Sequence, residues 1–194
     1  MKVLAWIAIV LVFNGQHFSH GRTASPFSAM EEPQFQVSQL LPSMSQQVRT
    51  TAECLQRAAI GEIMPQLRQE FSDTIKDLPK NRAIGPLASE MQGIYNDTVK
   101  ALATLPSIIA KPARSIGYSD VRAVQGAAFA LLSLPVRFER LRLTTMLTLV
   151  NSGLYTPELA GVMASHTARR LQLSAKIGVR VLQCQMIPIP VNAE

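Results

Sequence analysis

The chain of 194 residues is poor in the side chains on which catalysis and metal binding depend. Of its three histidines, only His166 lies beyond the first 21 residues. A zinc site takes several ligands from His, Cys and carboxylates. Nucleophilic catalysis needs a base poised beside a hydroxyl or thiol. One isolated imidazole, with no G-x-S-x-G or C-x-x-C around it, meets neither need. Carboxylate pairs are equally uninformative: Glu31-Glu32 lie in an irregular segment, and Asp73 and Asp77 have the i, i+4 spacing of a solvated helix face. The glycines are scattered rather than gathered into a phosphate cradle, and no basic run interleaved with aromatics suggests nucleic-acid binding. The expectation is a protein that is not an enzyme and carries no metal or cofactor.

Charged residues are also scarce, 16% against 47% hydrophobic, a balance that excludes a disordered chain. Long apolar runs are missing too. The run Val3–Phe13 and the stretch Ala123–Val136, bounded by Arg122 and Arg137, both fall short of the roughly 20 residues a spanning helix needs. The second suits a buried core helix. The first follows Lys2 and precedes Ser19 and Gly21, small residues at −3 and −1 of a cleavage site before Arg22. It predicts a signal peptide over residues 1–21 and a secreted, extracellular protein.

That compartment gives the two cysteines a meaning. In an oxidising environment Cys54 and Cys184 are expected to pair, closing a loop of about 130 residues. Charge is uneven: residues 22–110 hold 8 basic and 9 acidic side chains, residues 111–194 hold 10 and 4. The basic half reads most simply as arginines solvating helix faces, with attraction to anionic surfaces as the alternative.

Residues 22–38 lack periodicity and read as an extended N-terminal arm; residues 39–186 read as one helical domain, and the Pro-rich residues 187–194 as an extended tail. Within the domain, apolar residues recur at 3–4 spacing. Leu41, Met44, Val48, Ala52, Leu55 and Ala59 form one stripe, opened by a Ser43/Gln46 capping box and ended or kinked by Gly61 and Pro65. Leu67, Phe71, Ile75 and Leu78 form the next, and Leu87, Met91, Ile94, Tyr95, Thr98, Leu102 and Leu105 a third, broken at Pro106. Ser119-Asp120 is placed to cap a helix through Val124, Ala128 and Leu131 to Pro135. Another carries Phe138, Leu141, Met146, Leu149 and Val150, and stops near Gly153. Thr156-Pro157-Glu158 starts a last helix that continues to about Cys184. With no alternating β pattern, the fold class is all-α: a compact bundle or orthogonal array of five to six helices punctuated by proline.

Three positions stand out. Asn96-Asp97-Thr98 is an N-glycosylation sequon whose Asn96 lies opposite the apolar stripe of its helix. His166 falls within the stripe Leu159, Met163, Leu173, Ile177, Val181, Cys184, where a histidine is more often a hydrogen-bonded core residue than a base. Arg170 interrupts the same stripe. A guanidinium there pairs with a carboxylate, reaches solvent, or with His166 forms the polar end of an apolar, ligand-binding pocket. The functional expectation is a secreted protein acting through helix faces on an extracellular protein or receptor. Carriage of a fatty acid or other apolar ligand is the alternative, and membrane activity of the basic half a third reading.

Overall fold

Proline marks most helix boundaries of this fold, more often at a start than just past an end, as at Pro79 and Pro112. The computed structural model describes residues 42–185; the expected signal peptide, N-terminal arm and C-terminal tail lie outside the described residues. Its α-helical segments are α1 (Pro42–Ala58), α2 (Met64–Asp77), α3 (Gly85–Leu102), α4 (Leu105–Ala110), α5 (Tyr118–Leu132), α6 (Leu134–Asn151) and α7 (Pro157–Gln185). Pro65, Pro86, Pro106 and Pro135 each sit in the first turn of the helix that follows. A first-turn residue has no intrahelical partner for its N–H, so proline loses nothing there and its fixed φ suits the turn. Pro157 occupies the same place in α7, where Thr156 Oγ1 accepts the Leu159 N–H at 3.2 Å as a cap.

Of the two outcomes expected at Gly61 and Pro65, an end or a kink, the helix does not end there. A π turn over Ala59–Ile63 carries α1 into α2, and the Met64 N–H bonds to the Ala59 carbonyl five residues back. An α-helical register would drive the Pro65 ring into the Gly61 carbonyl. One widened turn removes that clash and keeps the axis running.

Other boundaries and faces also differ from the sequence reading. Ser43 lies inside α1 rather than at its cap, and Met44 is exposed while Ser45 is buried. Ile75 is exposed and Thr74 takes the buried position. Helix α5 is capped by extended Gly117, not by Ser119: Asp120, three residues on, accepts the Gly117 N–H at 3.0 Å and pairs with Lys111 Nζ at 2.6 Å. The stretch 123–136 is not wholly core. A break at Ser133 divides it between α5 and α6, and Phe129, Leu132 and Val136 face solvent. Helix α6 ends where expected. Gly153 adopts φ +65°, the Leu154 N–H reaches the Leu149 carbonyl at 2.9 Å, and the Gly153 N–H reaches Val150 at 3.0 Å, a Schellman end that only a left-handed residue completes.

The long pieces pair end to end. Cys54 is disulfide-bonded to Cys184, Glu62 pairs with Arg180, Glu70 with Arg170, and Asp77 meets His166. As one number rises the other falls, so the α1–α2 rod runs antiparallel to α7. Helices α3, α5 and α6 pack against this pair and one another, and α4 lies against α1. Phe71 of α2 and Phe138 of α6 meet edge to face, with ring centroids 6.1 Å apart. Leu55, Leu67, Leu87, Met91, Leu131, Leu141 and Leu149 are fully enclosed in one continuous core. Each contributes about 1.5–3 kcal/mol relative to exposure. Among the described residues no helix is long and apolar enough to cross a membrane.

Candidate functional site

The densest polar constellation lies where α2 meets α7. Helical spacing puts Glu70, Thr74 and Asp77 on one side of α2, and His166, Arg169 and Arg170 on the facing side of α7. Glu70, Thr74, His166 and Arg170 are all buried. Glu70 is the hub. Its Oε2 accepts Arg169 Nε at 2.8 Å, while its Oε1 lies 2.9 Å from His166 Nδ1 and 3.2 Å from Arg170 Nε. Arg170 Nη2 donates to Thr74 Oγ1 at 2.8 Å, and Thr74 donates to the Glu70 carbonyl at 2.8 Å. Burial pushes the Arg170 guanidinium below its ordinary pKa, with Glu70 beside it acting in the opposite direction; the group remains a cation.

His166 faces a carboxylate from each nitrogen, Asp77 Oδ2 standing 2.9 Å from Nε2. Arg169 Nη2 also reaches Nδ1, at 2.7 Å. A neutral ring accepts from Arg169 there, and an imidazolium donates to Glu70. Thr74 Oγ1, 3.1 Å from Nδ1, completes the order hydroxyl, imidazole, carboxylate. Thr74 is buried and its hydroxyl donates to the Glu70 carbonyl rather than to the imidazole.

His166 and Arg170, singled out in the sequence, are thus brought together. Glu70 and Thr74 were not foreseen, and Asp77 meets His166 rather than being a purely solvated residue. A signal for Glu70 exists: it follows Leu67 by three residues and precedes Thr74 by four, which places an acid on the apolar face of α2. Arg170 on the apolar face of α7 is its natural counter-charge.

Beside this network, between α6 and α7, lies a pocket of about 380 Å³. Thr74, Thr145, His166 and Arg170, all buried, form its inner end. Met146, Met163, Tyr155 and Leu171 line the rest, and Arg142 stands at the side, pairing with Glu139 and donating to Met146 Sδ at 3.3 Å. Among the described residues no carboxylate lines it. A second, shallower groove of about 290 Å³ runs past the disulfide between Arg57, Glu62 and Arg180. There a hydrogen bond from Arg180 holds the Glu62 carboxyl below its usual range.

Asn96 is exposed on α3, its side-chain oxygen accepting from Gln92 at 2.8 Å, whereas Thr98 of the same sequon is buried and bonded to the Ile94 carbonyl. Among the described residues no group of His, Cys, Asp and Glu side chains is placed to hold a metal ion.

No protein family matches the chain, and neither a curated protein nor a solved structure shows significant similarity to it.

Proposed function

We propose that this is a secreted, non-enzymatic protein that acts by presenting a helix face to another extracellular protein. One observation carries the reading. Val136, Leu143, Leu147 and Val150 of α6 are 73, 49, 62 and 56% exposed. At 100° per residue they cluster about 170° from the buried face of Phe138, Leu141, Thr145 and Leu149. Helix α6 is therefore apolar on two opposite sides, a pattern that belongs to a helix covered on both. Large exposed apolar patches on a soluble domain mark interaction sites. Arg140, whose side chain is 83% exposed, lies within the same stripe, so a partner with an apolar centre and carboxylates at its rim is complementary.

Secretion is supported by the charged, apolar and small-residue pattern of residues 1–21 and is compatible with a disulfide. Asn96 is the glycan acceptor on this reading. Because Thr98 is buried in the folded helix, attachment precedes folding of α3.

The test is a photo-cross-linking residue placed at Leu147, with one at exposed Gln172 of α7 as control, in protein secreted by its native cell type. A discrete partner captured from Leu147, absent from Gln172, and lost in Leu143→Ser/Val150→Ser with unchanged melting supports the proposal. Equal labelling from both positions overturns it.

A second reading, extracellular carriage of an apolar ligand, has one observation in its favour: the α6–α7 pocket, whose size falls within the range of small-molecule sites.

A further inference from the structure

We infer that the α6–α7 pocket takes a single-chain amphiphile with a carboxylate head, bound head-first against Arg170. The inference rests on the carriage reading and narrows it to one head-group chemistry and one selecting residue.

The pocket is asymmetric. Its inner end is polar and its outer part apolar: Thr74, Thr145, His166 and Arg170 are buried, while Met146 and Met163 are half-buried, and Tyr155 and Leu171 are 43 and 67% exposed at the mouth. An apolar chain therefore finds its surface near the opening, and a polar head finds its partners at depth.

The sign of that head follows from the donors. Arg170 has five N–H groups. Among the described residues one hydrogen bond uses them, from Nη2 to Thr74. Nε is enclosed and meets Glu70 only as an ion-pair contact, at 3.2 Å, without the direction of a hydrogen bond. Glu70 offsets the Arg170 charge, but the Nη1 donors make no hydrogen bond among the described residues, and a charged donor is best met by an anionic acceptor entering the pocket. Glu70 and Asp77 do not line the pocket and already take up both nitrogens of His166, so an entering carboxylate meets the Arg170 guanidinium beside the Thr145 hydroxyl. Thr145 donates to the Leu141 carbonyl at 2.7 Å and retains its acceptor pairs, so the Arg170 guanidinium dominates recognition at this end. Methionine surfaces adapt to flexible chains, and Met146 and Met163 face the pocket from opposite helices.

The experiment titrates the whole secreted protein, stripped of lipid, with dodecanoate and with dodecanol, followed by calorimetry. Saturable one-to-one binding of dodecanoate at least about tenfold tighter than dodecanol is expected, the margin of a charge-assisted hydrogen bond. Arg170→Met is expected to bind both probes alike. Ala164→Trp, a substitution at the exposed rim that leaves the network intact, is expected to bind neither and provides the test should Arg170→Met fail to fold. Equal binding of both probes by the wild type overturns the inference about the head while leaving carriage standing. Binding of neither probe overturns carriage as well. Wild-type affinity in Ala164→Trp places binding elsewhere and overturns the site.

Discussion

Glu70 and Arg170 face each other across the α2–α7 interface, Oε1 to Nε 3.2 Å, both buried and both set into largely apolar helix stripes. Neither residue fits its own helix alone, and each explains the other. A charge on an apolar face costs several kcal/mol unless a partner offsets it, and breaking such a pair from one side leaves that cost uncompensated. Breaking the pair from one side is therefore expected to cost more than the intact pair adds to net stability.

The two sides of the pair are not equivalent. Glu70→Leu strands Arg170 and removes the shared acceptor of Arg169 and His166; a loss of about 3–5 kcal/mol is expected. Arg170→Met leaves Glu70 with Arg169 at 2.8 Å, so a smaller loss is expected. The double variant should lose less than the sum of the two, by at least about 1 kcal/mol of coupling in urea unfolding. Strict additivity would mean the contact carries no energy.

The disulfide is expected to act through the unfolded chain. Cys54→Ser/Cys184→Ser opens a link between residues 130 apart and should cost about 2–5 kcal/mol, seen as a lowered melting temperature at unchanged helical circular dichroism. A melting temperature equal to that of the wild type would show that α1 and the end of α7 hold together without it.

Gly153 is strained for any other residue. Its φ of +65° meets no steric obstacle from neighbours, so Gly153→Ala isolates the backbone cost, about 1–2 kcal/mol. The readout is chemical denaturation, and a cost near zero would mean the helix end rearranges freely.

Acid sensitivity has a definite sign at Asp120. Burial pushes its carboxyl up, but the hydrogen bonds from Lys111 and from the Gly117 N–H outweigh this and hold it below its ordinary 3.8. A depressed folded-state pKa gives stability that is present above the unfolded value and lost as pH falls through the folded one. The stability difference between wild type and Asp120→Asn should therefore be constant from pH 5 to neutrality and shrink below about pH 4. A difference that grows on acidification would reverse the assignment.

Much of the helical content is written locally. The apolar spacing of Leu87, Met91, Ile94, Thr98 and Leu102 and the Thr156-Pro157-Glu158 start depend on neighbours within one or two turns, and all appear in the structure as those neighbours imply. Gly153 belongs to the same group, because a left-handed helix end is a property of one residue. What proline does was half legible. Its missing N–H excludes a helix interior, but whether the chain ends there or begins anew depends on the geometry one turn upstream, as the π turn before Pro65 demonstrates.

Burial of single positions was decided by packing. Met44, Ile75 and Val150 follow their stripes in sequence yet face outward, while Ser45, Thr74 and Glu70 are enclosed, because a neighbouring helix covers only part of an apolar arc. The sequence by itself determined most of the helices, the Thr156 cap, the Gly153 end and two cysteines able to bond, all consequences of short-range backbone and side-chain chemistry. Only the tertiary structure decided that Arg170 finds Glu70, that His166 lies between two carboxylates, and that α6 keeps an apolar face toward solvent. Those depend on which helices become neighbours, and that choice is made by the burial of the whole core at once.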